Sequence, residues 1–171
     1  MEFKDLQGWL ATNQAFMGLV SQVRARHVAS QFGMDRPSLE EPDWSYLMLC
    51  ASILAPGSEG QTQDTALRLA HACLEDHKAS GEQRAAAIAV LHSLFNQPSL
   101  SLAASRGLVS TELEESLPLS IRMDWARRRS EALHRSPVGH GILLNRLQQQ
   151  LVALTSSTDW LSISAPTSAG K

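Results

Sequence analysis

The sequence contains few of the residues that favour strands. It has 7 valines and 5 isoleucines, against 25 leucines and 21 alanines. Valine and isoleucine favour the pleated surface of a sheet, whereas leucine and alanine lose little freedom on entering a helix. The composition therefore predicts an all-α body.

Cysteines, net charge and long apolar runs are also scarce. Two cysteines cannot build a disulfide framework, so we expect a reduced, cytoplasmic protein. A formal net charge of −2 excludes a generally basic protein that wraps nucleic acid. The sequence has no apolar run of 18 residues and no basic, apolar secretory leader. We therefore expect no membrane partner.

Apolar residues recur at helical spacing along most of the chain. The predicted helices lie near 42–54, near 62–77, between Ser80 and Asn96, near 119–136 and near 141–155. Three pairs of residues have the spacing of a capping box, Ser38 with Glu41, Ser80 with Gln83 and Thr111 with Glu114. Short connections between helices favour a bundle or a short array of antiparallel helix hairpins. We expect this helical domain to span 1–157.

The pattern changes near the C-terminal end. Residues 159–164 alternate apolar and small polar side chains, which predicts a single strand, and the string APTSAGK follows at 165–171. A strand, a turn of small residues and then Gly-Lys is how a phosphate-binding loop begins. Small residues let backbone N–H groups surround an anion, and the lysine reaches the β- and γ-phosphates. We therefore expect a second, truncated domain over 158–171.

APTSAGK resembles motif I of the superfamily-two DExD/H-box helicases, the DEAD/DEAH and Ski-like ATP-dependent enzymes. The resemblance implies that the chain is the N-terminal part of such a helicase, ending inside motif I, and that the parent binds ATP with Mg²⁺ and acts on DNA or RNA. It implies an adenine contact from Gln150 or Gln149. The implied phosphate-binding residues are Thr167, Ser168, Ala169, Gly170 and Lys171.

The middle of the chain is similar to the helical N-terminal region of bacterial DEAD/DEAH-box helicases from phage-defence operons. The similar residues are Ala66–Ala70 and Ala89–Asn96. The resemblance implies an accessory, regulatory or partner-docking role for the helical domain. The 171 residues alone are expected to bind no nucleotide and to turn over no ATP.

Five arginines and two acidic residues lie in 119–136, and three of the arginines are consecutive, Arg127, Arg128 and Arg129. These arginines would follow a nucleic-acid backbone or an acidic partner. Alternatively, they form a solvated helix face held by ion pairs, as acidic residues four positions away would allow. The interspersed acidic residues favour the solvated face.

No catalytic or metal-binding constellation emerges from the remaining residues. His71 and Glu75 share one helix face while Cys73 and His77 share another, so the four side chains do not converge on one metal. The tryptophans, Trp9 among them, are expected to anchor helix packing. The alternative to a helicase domain is therefore a stand-alone all-α protein-interaction module without catalytic activity.

Overall fold

A computed structural model describes residues 3–34, 41–57, 60–110, 115, 117–135, 141–144, 146–155 and 157. The chain is mostly helical, which confirms the all-α prediction. Its elements are α1 (Phe3–Thr12), α2 (Gln14–Gln31), α3 (Trp44–Leu54), α4 (Gly60–Glu75), α5 (Gly81–Ser93), α6 (Gln97–Ser105), α7 (Leu119–Ala132), β1 (Leu133–Arg135), β2 (Gly141–Leu143) and α8 (Arg146–Thr155). Among the described residues, no helix is both long enough and apolar enough to span a bilayer.

The chain divides into two compact units, Met1–Ile121 and Arg122–Lys171. The sequence did not predict a division at this point. The predicted boundary between 1–157 and 158–171 falls outside the described residues, as do the predicted strand at 159–164 and the loop at 165–171. Those parts of the prediction stay untested.

The core of the first unit lies around α4, which contacts α2, α3 and α5. Ala66 and Ala70 of α4 are fully buried, and these small side chains let neighbouring helices approach closely. The apolar residues that recur at helical spacing in α3 and α4 are buried: Leu47, Cys50, Ala51, Leu54, Ala66, Leu69, Ala70, Cys73 and Leu74. Trp9, in contrast, is 52% exposed, so the expectation that it anchors the core was wrong.

Side-chain caps define where the helices of the first unit begin. The capping box at Ser80 is confirmed, since the Ser80 hydroxyl accepts from the Gln83 N–H at 3.2 Å and the Gln83 amide oxygen accepts from the Ser80 N–H at 2.9 Å. At α3 the cap is Asp43, whose carboxylate accepts from the Tyr46 N–H. The predicted capping box there was therefore misplaced, and Ser38 lies outside the described residues.

Three residues, Leu94, Phe95 and Asn96, connect α5 to α6. Phe95 adopts a left-handed conformation (φ 53°), and its N–H donates to the His92 carbonyl at 3.0 Å. The Asn96 N–H donates to the Leu91 carbonyl at 3.2 Å, and the Asn96 side chain then caps α6. The sequence was interpreted here only as a break, and α6 was missed.

In the second unit, two short strands replace parts of the predicted helices. β1 and β2 pair antiparallel, with Leu133 opposite Leu143 and Arg135 opposite Gly141. The helices predicted over 119–136 and 141–155 are therefore shorter, because α7 ends at Ala132 and α8 begins at Arg146. Proline and glycine between the strands are residues that favour a hairpin turn.

Candidate functional site

Most of the nucleotide-binding residues implied by the resemblance lie outside the part of the chain that the structure describes. Thr167, Ser168, Ala169, Gly170 and Lys171 lie outside the described residues. Gln150 is on α8 and is exposed, while the amide nitrogen of Gln149 donates to the Leu144 carbonyl at 2.8 Å. The grouping of Gln150 with the phosphate loop stays a prediction.

The arginines of α7 are largely exposed where their side chains are described. Arg127 donates to Asp124 at 2.9 Å, a pair three residues apart on the solvent-exposed helix surface. Arg129 is exposed, and the Arg128 side chain is outside the described part of the chain. An exposed pair of this kind fits the solvated-face interpretation, although nucleic-acid binding is untested.

A polar cleft lies in the first unit, among the described residues. We call it the Arg26 cleft. Arg26 and Ser30, one helical turn apart, reach it from α2, and Trp44 at the start of α3 and Asp76 just after α4 complete its walls. The cleft is open to solvent and has a volume of about 160 Å³.

Asp76 connects three segments at this cleft. Its carboxylate accepts from the Trp44 indole N–H at 3.1 Å and from the Lys78 backbone N–H at 3.0 Å. The Arg26 guanidinium lies 3.9 Å from the same carboxylate, and only 9% of the Asp76 side chain is exposed. Burial opposes ionisation of Asp76, but the two N–H donors and the positive charge of Arg26 prevail and lower its pKa. Asp76 is therefore a largely buried carboxylate that accepts hydrogen bonds from Trp44 and Lys78 and lies near the positive charge of Arg26.

Glu75, the neighbouring residue, is contacted by nitrogen atoms of two other side chains. Arg106, just after α6, donates to it at 3.1 Å, and the Nδ1 of His27 on α2 lies 3.6 Å away. The Nε2 of His27 is 3.0 Å from the side-chain nitrogen of Gln31.

The segment before α3 has its own ion pair with the residues after α4. Lys78 donates to Glu41, and this contact lowers the pKa of the Glu41 carboxyl. Each carboxylate around the cleft thus already has a donor from the protein.

The sequence did not single out Arg26, Trp44 or Asp76 as a site. Trp44 and Asp76 are 32 residues apart, and no local spacing encodes their hydrogen bond. The expectation about metals concerned the neighbouring His71, Cys73, Glu75 and His77. Within the part of the chain that the structure describes, no group of three such residues is placed to hold a metal ion.

No family model, curated protein or solved structure matches this chain.

Proposed function

We propose that this chain is the helical N-terminal part of a cytoplasmic ATP-dependent helicase of superfamily two. In this proposal an array of antiparallel helix hairpins precedes the first strand and phosphate loop of the ATPase domain. The single observation that carries the proposal is the string Ala165–Lys171, which has the residue types and order of motif I. Lys171 would contact the β- and γ-phosphates of ATP, and the loop N–H groups would hold their oxygens.

The helical part is proposed to dock a partner rather than to take part in hydrolysis. Its first unit has a buried core, which can present surface side chains in fixed positions. The Arg26 cleft combines charged groups with an opening to solvent, as a recognition site requires. Bound ATP with Mg²⁺ would supply the energy-releasing chemistry in the ATPase domain.

The decisive test is ATP hydrolysis by the product of the whole reading frame that contains this sequence, measured with and without DNA and RNA. We expect activity, and we expect Lys171→Ala to lower kcat at least about 100-fold. Lys4→Ala, which changes an exposed lysine of α1, is the matched control and should retain activity. Hydrolysis that survives Lys171→Ala would contradict the assignment of the loop.

The α7 arginines allow a second test, of nucleic-acid binding. If Arg127 and Arg129 contact phosphates, replacing both with alanine should weaken binding to every oligonucleotide alike, and the salt dependence should become less steep. Unchanged binding at low salt would mean that these arginines form only a solvated helix face.

A stand-alone interaction module is the second candidate, and the Arg26 cleft favours it because the cleft lies wholly within the first unit. Sequencing the gene separates the candidates. A reading frame that continues after Lys171 with serine or threonine and then a DExD/H box supports the helicase. A stop codon at that position would favour the stand-alone module.

A further inference from the structure

Another pocket of the first unit lies where the ends of four helices meet. Residues at the end of α1, the start of α2, the end of α3 and the start of α4 line it, and its volume is about 200 Å³. Four of these residues are buried and form its inner part: Phe16, Leu54, Thr62 and Thr65. We call it the threonine pocket. All residues that line it lie in the first unit, so one compact body forms the whole site.

The charge of the threonine pocket differs from that of the Arg26 cleft. Among the described residues, no charged side chain lines the threonine pocket, whereas Arg26, Glu75 and Asp76 line the cleft. An ion that entered the pocket would give up its hydration without meeting an opposite charge, and this desolvation costs free energy. The lining therefore favours an uncharged group.

Much of the pocket wall is apolar. Phe16 and Leu54 are each 1% exposed, and the half-buried Ala11 and Met17 also line the pocket. An apolar body that displaces loosely held water from such a surface binds favourably. An apolar cavity of roughly 150 Å³ is large enough to take up benzene. The threonine pocket thus has room for a molecule with one aromatic ring.

The threonine hydroxyls determine which polar group a ligand needs. The Thr65 hydroxyl donates to the Gln61 carbonyl at 3.0 Å, and the Thr12 hydroxyl donates to the Gly8 carbonyl at 3.0 Å. A hydroxyl has one hydrogen and two lone pairs, so each oxygen keeps the capacity to accept a hydrogen bond. Thr65 is only 5% exposed. A ligand that donates to it would pair a polar atom in the inner part of the pocket.

We propose that the threonine pocket binds a small, uncharged molecule with an apolar body of about one ring and one O–H or N–H donor, and that Thr65 accepts from this donor. A phenol has this chemistry. The inference goes beyond the helicase and docking roles proposed above. The pocket shares no lining residue with the Arg26 cleft, so either site can fail without the other.

NMR titration of the 171-residue chain tests the proposal, with the methyl signals of Met17 and Thr65 as reporters. The probes are phenol, fluorobenzene and benzoate, each added to about 10 mM at constant ionic strength. We expect saturable shifts of both signals with phenol, at a Kd in the millimolar range. Fluorobenzene lacks the donor and should bind at least threefold more weakly. Benzoate is charged and should give no saturable shift.

Two variants separate the polar and the apolar parts of the site. Thr65→Val removes the hydroxyl and nearly keeps the shape, so it should weaken phenol binding at least threefold and leave fluorobenzene within twofold. Ala11→Met fills the pocket and should weaken both at least tenfold. The matched control is Ala104→Met, which adds the same side chain at an exposed position of α6 outside the pocket lining. Its affinity for phenol should stay within twofold.

Four results would overturn the inference: no saturable shift with phenol, equal affinity for phenol and fluorobenzene, benzoate binding as tight as phenol binding, or unchanged phenol affinity in Ala11→Met. The three titrations of the unaltered chain decide the matter even if Thr65→Val fails to fold. They do not depend on Lys171 or on ATP hydrolysis, so failure of the helicase assignment and failure of the threonine pocket give different results.

Discussion

Helices α5 and α7 have nearly the same length, 13 and 14 residues, but their side chains differ in how far they are buried. In the first unit, α5 buries Ala87, Ile88 and Leu91 completely. In the second unit no described side chain of 122–157 is buried, and Met123 of α7 is 64% exposed. Helical geometry alone therefore does not indicate a core, and among the described side chains the apolar burial that drives folding lies in the first unit.

The largest expected effect comes from comparing one leucine-to-alanine substitution in each unit. Leu91→Ala leaves a cavity beside α4 and should lower the free energy of unfolding by about 2–5 kcal/mol. Leu154→Ala on α8, where the side chain is 46% exposed, should change it by no more than about 0.5 kcal/mol. Urea denaturation followed by circular dichroism measures both. Equal losses would contradict the contrast between the units.

A smaller effect is expected at the start of α5. Ser80→Ala removes the capping oxygen that accepts from the Gln83 N–H and should cost about 1 kcal/mol of unfolding free energy. Ser21→Ala is the control, at an exposed position in the middle of α2. It should have almost no effect, because alanine is a good helix former. Similar losses in the two variants would mean that the cap does not contribute.

His71 should contribute to the pH dependence of the stability of the first unit. Burial lowers the pKa of this imidazole below its ordinary value of 6.5, and Glu75 only partly opposes the shift. Above pH 6.5 the His71 imidazole is mostly neutral in both the folded and the unfolded chain. Below it the unfolded chain takes up the proton more readily, so stability falls as the pH falls.

The His71→Gln variant should therefore lose less stability between pH 7.5 and about pH 5.5 than the unaltered chain does. Urea midpoints at the two pH values provide the measurement. His77→Gln, at an exposed histidine nearby, serves as the control. An unchanged pH dependence in His71→Gln would assign the effect to other groups.

The smallest effect is expected on α7. Arg127→Ala removes the exposed pair with Asp124, which salt and water screen, so the unfolding free energy should change by less than about 0.5 kcal/mol. Urea denaturation followed by circular dichroism measures this change as well. A loss above 1 kcal/mol would show that the second unit depends on its arginines for more than solubility.

The sequence was most informative where one apolar face repeats over several turns. Leu47, Ala51 and Leu54 follow the helical period, so α3 and its buried face could be predicted. Strands of three residues are too short to show an alternating pattern, so β1 and β2 were missed. The start of α6 had a usable signal in Asn96 followed by Pro98, a side-chain cap with proline in the first turn.

The Arg26 cleft was beyond sequence reasoning for a different reason. Its contacts join residues from α2, the start of α3 and the end of α4, and they exist only after the helices have packed. A lone arginine on a helix is most often solvated, and nothing around Arg26 in the chain indicates that its side chain is largely buried. Tertiary packing supplies that information.

The turn between α5 and α6 has a consequence for local opening. Because the amides of Phe95 and Asn96 are bonded to carbonyl groups of α5, they exchange with solvent only when the end of α5 frays. The connection is therefore a rigid corner rather than a hinge. Helices α5 and α6 should open together as one cooperative segment, with slowly exchanging amides that continue past the last residue of α5.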